Sequence, residues 1–355
     1  MAKADVLTAE VPPVHRATTG RLSWLRRSAL AWFVIAAVGQ LAFVYFIVAY
    51  YGTRTASGDY AGWNDKPLIE GYVAGDHVGN FMFISHVLLA AVITLGGLHQ
   101  LIPAIRNRWP VSHRIVGRSF VIVAYFMALN GLWLVWGRGT QLSLASAVPT
   151  SLNALLLLWF VSAAWFLAMR GRYAEHRRWA LRAFVVANGV WFFRVGIMAW
   201  VLINQGPVGM NETLSGPADL ALSYGSYLVP LALLELYLRA QRKEAGPWRR
   251  AAIGGLLAGT AITAVGVVGT VAFMWAPYLE KALRCQATSG GGRKQRDPSR
   301  HRPADFIAAA RHADFRLPLA ARLERSQALQ VLVDLATKHA TCCRRLQQSE
   351  VKNPA

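Results

Sequence analysis

The chain has 355 residues, of which 54% are hydrophobic and 16% are charged, and its mean hydropathy is +0.31. These values exclude an ordinary soluble domain, because several apolar runs reach the roughly 20 residues that cross a hydrocarbon core. The net charge of +20 does not indicate a nucleic-acid partner, because the basic residues collect in alternate loops between the apolar runs.

Seven transmembrane helices are predicted along the chain. The first, 29–50, lacks a small-residue cleavage site and is expected to be a retained anchor rather than a signal peptide. The other six cover 81–105, 116–137, 144–169, 180–203, 219–240 and 251–276. Short connections make most neighbours antiparallel, so the predicted fold class is an all-α polytopic membrane helix bundle. The predicted divisions are an N-terminal segment 1–28, a membrane domain 29–280 and a basic tail 281–355.

The orientation of this bundle is predicted from lysine and arginine. Up to residue 280, the N-terminal segment and the loops after helices two, four and six carry 19 basic residues, whereas the other loops carry only Arg54, Lys66 and Arg138. Basic residues concentrate in cytoplasmic loops. We therefore expect a multi-pass protein of the bacterial inner (cytoplasmic) membrane, in contact with lipids, with its N-terminus inside and no nucleic-acid partner.

Ionisable side chains inside a membrane span are costly, so they mark candidate sites. Arg194 and Asn130 each lie 14 residues from the predicted cytoplasmic start of their helices, about 21 Å up at 1.5 Å per residue. His86 lies near the outer end of the second helix, within reach of that level. We predict an outer group of His86, Asn130 and Arg194, which either binds a small anionic ligand or acts as a structural polar clamp.

A second set of polar side chains, the inner group, is predicted near the cytoplasmic surface. Its members are His99, Gln100, His113, Arg114, Arg118, His176, Arg177 and Glu235. Arginines beside helix starts also fit contacts with lipid phosphates and control of topology. That second interpretation assigns the inner group no chemistry.

Haem b is the cofactor alternative, because two neutral imidazoles from different helices can clamp a haem iron. His86 and His99 are 13 residues apart, which separates them by about 140° around the helix axis and does not fit a stacked two-haem bundle. A single inner haem could use His99 with His113 or His176. All lysines lie outside the predicted helices, which argues against a retinal Schiff base.

The composition changes after Leu283, where RCQATSGGGRKQRDPSRHRP begins a basic stretch. Three interpretations stay open for this tail: a peripheral helical appendage, a disordered segment, or an out-of-frame extension. Its cysteines, Cys285, Cys342 and Cys343, lack metal-binding spacing. The tail therefore carries no functional prediction.

The stretch HVLLAAVITLGGLHQLIPAIRNRWPVSHRIVGRSF, followed by EHRRWALRAF and an arginine in the next helix, resembles a bacterial family of predicted membrane proteins of unknown function. Roughly residues 81 to 240 share the resemblance, which implies a multi-pass membrane protein and no established activity. His99 is not part of the pattern, which weakens haem ligation through that residue. The pattern falls on His86, Gly96, Gly97, Gln100, Pro103, His113, Arg114, Gly117, Arg118, His176, Arg177, Arg178, Trp179 and Arg194.

Three functions follow from these observations. The first expectation is a non-enzymatic membrane module that binds or moves a small anionic or lipidic ligand at the outer group. The second is a b-type haem or quinone redox protein. The third is a structural partner of another membrane complex.

Overall fold

The computed structural model describes residues 23–66, 70–241 and 246–280, all of which lie in the first of two compact units, 1–291. Within these ranges the chain is helical and has no strand. The predicted all-α fold is therefore confirmed. The interpretations of the tail 281–355 concern residues outside the described ranges, as does most of the predicted N-terminal segment.

Nine helices, α1 to α9, and one short 3-10 helix, Ala61–Asp65, occur in the described residues. Six of them are long and apolar enough to cross a membrane, and a bent pair, α6 and α7, makes a seventh span if it is counted as one. The bounds are α1 Trp24–Ser57, α2 His77–Leu101, α3 Pro103–Arg108, α4 Pro110–Trp136, α5 Leu144–Met169, α6 Tyr173–Ala187, α7 Gly189–Ile203, α8 Pro217–Ala240 and α9 Gly246–Glu280. Helices α1 and α9 each contain a π-helical segment, Ile47–Gly52 and Thr270–Trp275.

The second span ends earlier, at its C-terminal end, than the predicted 81–105. Helix α2 ends at Leu101, because Ile102 is extended, with φ −82° and ψ 110°, and Pro103 starts the separate helix α3. A residue before proline is pushed out of the helical region by the proline ring. His99 and Gln100 therefore lie in the last turn of α2.

The fifth span is not the single helix predicted for 180–203. Helix α6 begins at Tyr173, and the two halves meet at Asn188 with a bend of 53°. The Asn188 side chain donates a hydrogen bond from Nδ2 to the Phe184 carbonyl oxygen, 2.8 Å away, and Gly189 follows it. Asparagine and glycine are both weak helix formers, and a side chain that bonds the preceding turn competes with the helix ladder.

Helix α7 packs against α8 and α9, and α1 packs against α9 and α2. The largest buried aromatic cluster therefore joins four helices, with Phe43 from α1, Ala91 from α2, Trp191 from α7 and Trp275 from α9. On the other side of the bundle, α2, α4, α5 and α6 follow one another in contact. The break at Asn188 lies where these two halves of the bundle meet.

Glycines let α7 and α1 approach α9 closely. A Cβ atom on Gly266 of α9 would lie 2.2 Å from the carbonyl oxygen of Val195, and one on Gly39 of α1 would lie 2.5 Å from the side chain of Val267. Small residues permit such backbone contacts between membrane helices. The residue before Val195 is Arg194, so this packing fixes the backbone that carries the deep arginine.

The side that the charge pattern predicts to be external is called the outer side below. There, the ends of α1 and α2 are joined by an outer cap, residues 58–66 and 70–76. The side chain of Asn64 holds the cap together, because its Oδ1 accepts hydrogen bonds from the backbone N–H groups of Gly71 and Tyr72 at 2.7 and 2.9 Å. Trp63 is buried beneath it. The cap brings Lys66 towards the bundle.

Candidate functional site

Arg194 on α7 faces α1, α2 and the outer cap. Its guanidinium carbon lies 5.6 Å from the centroid of the Phe43 ring, and its Nη1 donates a 3.1 Å hydrogen bond to the carbonyl oxygen of Val190. Its charge acts on the side chains of Tyr51, Lys66 and His86. The exposure of Arg194 is intermediate although these elements lie around it, so part of the side chain stays accessible between them. We call these residues, Phe43, Tyr51, Lys66, His86 and Arg194, the outer crevice.

Lys66 is the second cation of the outer crevice. Its Nζ lies 4.6 Å from the ring centroid of Phe46 and 5.7 Å from that of Tyr278. Burial lowers the pKa of Lys66 from 10.5 to about 7, and the positive charge of Arg194 adds to this effect. Lys66 was not among the predicted site residues. The charge pattern identified it only as one of the few basic residues in the loops predicted to be external.

Three carboxylates of the outer cap, Asp59, Asp65 and Asp76, are bound to two other arginines. Arg54 donates to Asp65 at 2.8 Å, and Arg138 donates from Nε to Asp76 at 2.9 Å. Among the described residues, neither Arg194 nor Lys66 forms a salt bridge. The outer crevice therefore combines two cations with no carboxylate partner in the described part of the chain.

His86 lies against α4, beside Asn130. A Cβ atom on Gly131 would lie 3.3 Å from Cε1 of the His86 ring, and the buried Nδ1 of His86 has no hydrogen-bond partner. Asn130 donates from Nδ2 to the carbonyl oxygen of Met82 at 3.0 Å and reaches Ser85 Oγ at 3.4 Å. Asn130 thus ties α4 to the turn of α2 that precedes His86. Of the predicted outer group, His86 lies within range of the charge of Arg194, whereas Asn130 binds the preceding turn of α2.

The three inner histidines are close enough to interact. The charges of His99, His176 and Arg106 all act on His113. His99 Nε2 is 3.0 Å from Ser112 Oγ, Gln100 Nε2 donates to the carbonyl oxygen of His113 at 3.0 Å, and His176 Nδ1 donates to the carbonyl oxygen of Ala164 at 2.8 Å. These bonds join α2 to α4 and α6 to α5 at the end of the bundle opposite the outer cap.

The remaining members of the inner group are three arginines and Glu235. Arg114, Arg118 and Arg177 are exposed at the end of the bundle opposite the outer cap. Glu235 on α8 is bound by Arg182 on α6, which donates two hydrogen bonds of 2.6 and 3.0 Å. Arg182 was absent from the predicted inner group. The spacing of residues along one helix does not reveal a partner 53 positions away.

The inner histidines do not fit a haem. Helices α2, α4 and α6 are packed tightly beside them, because a Cβ atom on Gly97 would lie 2.8 Å from the ring of Phe184 and 3.5 Å from that of Phe120. A macrocycle clamped between His99 and His113 needs an open slot at this position. Within the described ranges, no group of three or more metal-binding side chains has the geometry to hold a metal ion.

Comparison with known proteins supports the resemblance noted from the motifs. Residues 83–238 match the family described as "Predicted membrane protein (DUF2306)". The match includes every residue of the pattern, from His86 to Arg194. No curated protein and no solved structure matches the chain. The description of the family assigns no activity.

Proposed function

Because residues 83–238 match a membrane-protein family that brings no activity with it, we propose a function from the geometry of the outer crevice. The protein binds a small oxyanion, a carboxylate or a phosphate, that enters from the outer side between α1, α2 and α7. The observation that carries this proposal is the pairing of Arg194 with Lys66 in one crevice, where neither cation forms a salt bridge among the described residues.

Electrostatics support an anionic ligand. Two like charges that share a partly buried site repel each other, and burial adds the cost of removing them from water. The lowered pKa of Lys66 expresses this cost. An anion between the two cations would reverse both effects, because it would attract each of them. A crevice with two cations that form no salt bridge in the described part of the chain is therefore suited to a negatively charged ligand.

The surrounding side chains support recognition of oxygen atoms. The guanidinium of Arg194 presents a planar fork of N–H donors that matches a carboxylate or phosphate edge, and the Phe43 ring lies beneath it. Lys66 offers a point charge. The unpartnered Nδ1 of His86 offers a further hydrogen bond.

We further propose that the protein resides in the bacterial cytoplasmic membrane with its N-terminus inside. This assignment is supported by the basic residues of the N-terminal segment and of the alternate loops. The outer crevice would then open to the periplasmic side. The redox alternative receives no support from the packing around His99 and His113.

The test is ligand-dependent thermal unfolding of the detergent-purified protein, with inorganic phosphate and succinate as probes. We expect at least one anion to raise the melting temperature of the wild type, because a ligand that binds only the folded state stabilises it. Arg194→Met should abolish the shift. Arg250→Met, which removes an exposed arginine at the other end of the bundle, should retain it. Absence of any shift in the wild type, or an equal shift in Arg194→Met, would refute the proposal.

A further inference from the structure

Four polar side chains from four helices have buried atoms without hydrogen-bond partners near the centre of the bundle. Gln40 on α1 is fully buried, and both polar atoms of its amide lack partners. Trp191 on α7 is 2% exposed with an unpartnered Nε1, and Tyr227 on α8 is 1% exposed with an unpartnered hydroxyl. Asn153 on α5 has an unpartnered, buried Oδ1. We call these four residues the central layer.

Close contacts put Gln40 and Trp191 at one depth. A Cβ atom on Gly39 would lie 2.7 Å from Cζ2 of Trp191, and this ring atom is two bonds from the unpartnered Nε1. The indole N–H group therefore lies beside the turn of α1 that carries Gln40.

Tyr227 on α8 lies at the same depth as Trp191. A Cβ atom on Gly196 of α7 would contact the side chain of Leu222 on α8 at 3.5 Å. Trp191 lies five residues before Gly196, and Tyr227 lies five residues after Leu222 on the antiparallel helix. Each interval corresponds to about 7.5 Å along its helix in the same direction. Tyr227 is therefore level with Trp191.

The central layer coincides with the break in the fifth span. Gly189 is the first residue of α7, and a Cβ atom on it would lie 2.9 Å from Oδ1 of Asn153. The first N–H groups of a helix have no partner within that helix and carry a partial positive charge. The layer thus adjoins a helix N-terminus that lies inside the bundle.

The central layer also adjoins the outer crevice. Trp191 is three residues before Arg194 on α7, and Gln40 is three residues before Phe43 on α1, so both lie about one helical turn deeper. Phe43 itself lies beneath the guanidinium of Arg194. A ligand released from Arg194 towards the cytoplasmic side would meet the central layer next.

The side chains of the central layer favour a ligand that accepts hydrogen bonds. The indole of Trp191 can only donate a hydrogen bond, and the hydroxyl of Tyr227 and the amide of Gln40 can donate as well. Buried polar groups without partners cost free energy, and no lipid can satisfy them. An oxyanion accepts hydrogen bonds from the Trp191 indole, the Tyr227 hydroxyl and the Gln40 amide nitrogen, whereas an ammonium ion, which only donates, leaves the indole unsatisfied. The buried Oδ1 of Asn153 only accepts, so it does not bind the anion.

We propose that the central layer is a second station for the oxyanion bound in the outer crevice, so that the protein moves this anion inward rather than only holding it. This inference rests on the proposed function of the outer crevice. The outer station binds the anion through charge, and the central station binds it through neutral donors beside the N-terminus of α7. Broken helices that expose such ends to a substrate are a device of membrane transporters.

The test is uptake of radiolabelled phosphate and succinate into proteoliposomes that contain the full chain. Wild type should take up the anion that stabilises it in detergent, whereas protein-free liposomes should not. Gln40→Leu and Tyr227→Phe should each lower uptake by roughly tenfold, because each removes one hydrogen bond to the passing anion. Both variants should keep the anion-dependent thermal shift, since Arg194 and Lys66 are intact.

Tyr45→Phe is the matched control, because Tyr45 is 61% exposed on α1 and lies away from the central layer. It should transport at the wild-type rate. Gln40→Leu should remain folded, since it removes a buried amide that has no partner. If that variant nevertheless unfolds, Tyr227→Phe, which loses only a hydroxyl, decides the question.

The two proposals fail in different ways. A wild type that shows the thermal shift but no uptake above protein-free liposomes would overturn the second station and leave the outer crevice standing. Wild-type uptake in folded Gln40→Leu or in Tyr227→Phe would overturn it as well. Absence of both the shift and uptake would refute the proposed function itself.

Discussion

The guanidinium of Arg194 lies over the ring of Phe43, 5.6 Å from its centroid, and this contact orients the deep arginine towards α1. Its Nη1 donates to the carbonyl oxygen of Val190, and a planar guanidinium on an aromatic face keeps the remaining N–H groups at its edge available. A side chain held in this way can bind a carboxylate through two parallel hydrogen bonds. For the same reason, a side chain that has only the positive charge would not replace Arg194.

The first prediction follows from that fork. Arg194→Lys should weaken binding of phosphate or succinate by roughly tenfold, because an ammonium group keeps the charge and loses the bidentate bond. Isothermal titration of the purified variant measures the change. Binding equal to that of the wild type would show that Arg194 acts only as a point charge.

The second prediction concerns anion binding and pH. The pKa of Lys66 is about 7 in the folded protein, because the side chain is buried and lies near Arg194. A bound anion favours the protonated amine, so binding should weaken as the pH rises from about 6 to about 9. Lys66→Met should bind more weakly and lose most of this dependence. A wild-type affinity that stays constant across this range would contradict a role for Lys66.

Lys66 also predicts how stability depends on pH without a ligand. Its folded pKa of about 7 is lower than the ordinary 10.5, so between these values the unfolded chain binds more protons than the folded protein. Stability should therefore rise with pH across this window, and the pH dependence that Lys66 contributes should vanish below it. Denaturant unfolding of wild type and Lys66→Met measures the difference between the two slopes.

The fourth prediction addresses the ion pair between Arg182 and Glu235. The two hydrogen bonds of 2.6 and 3.0 Å join α6 to α8, and the Arg182 guanidinium lies 4.7 Å from the Trp179 ring centroid. Glu235→Gln should lower the free energy of unfolding by roughly 1–3 kcal/mol, because one partner of a half-buried pair is left without its counter-charge.

The control is the exposed ion pair of Arg172 with Glu175. Glu175→Gln should change stability by less than about 1 kcal/mol, because water screens exposed pairs. A double-mutant cycle of Arg182→Met with Glu235→Gln should show a coupling energy well above that of the exposed pair. Equal coupling energies would indicate that the pair of Arg182 and Glu235 does not add to the stability of the contact between α6 and α8.

The sequence predicted the positions of the helices better than it predicted the contacts between side chains of distant segments. Long apolar runs and alternating basic loops identify membrane spans, and counting from a helix start placed Arg194 at a depth that suits the outer crevice. Lys66 was missed because the outer cap folds back over the bundle through hydrogen bonds of Asn64, which no local pattern indicates. The depth of a residue can be counted along a helix, whereas contacts between distant segments depend on the tertiary fold.

The central layer was missed for a related reason. Gln40 is a visible amide in an otherwise apolar helix, but Trp191 and Tyr227 look like ordinary interfacial or core aromatics. Only the fold shows that their polar atoms are buried without partners. The break at Asn188 had a local signal, the weak helix formers Asn188 and Gly189, which the strong apolar periodicity of the flanking residues obscured.

The last prediction tests how α9 holds Arg194 in position. A Cβ atom on Gly266 would lie 2.2 Å from the carbonyl oxygen of Val195 and 3.0 Å from its carbonyl carbon, so the backbone of α7 itself would have to move. Gly266→Ala should therefore lower stability by roughly 1–3 kcal/mol, as expected for overpacking, and should weaken anion binding because Arg194 moves with α7. Gly254→Ala on the same helix is the matched control, since a Cβ atom there meets nothing within 4 Å. That substitution should leave binding unchanged and stabilise α9 by up to about 1 kcal/mol, the ordinary gain of alanine over glycine in a helix. Thermal unfolding and phosphate or succinate titration of both variants measure these effects. Wild-type stability and affinity in Gly266→Ala would mean that α7 is free to shift without consequence, and that the contact with α9 does not position the deep arginine.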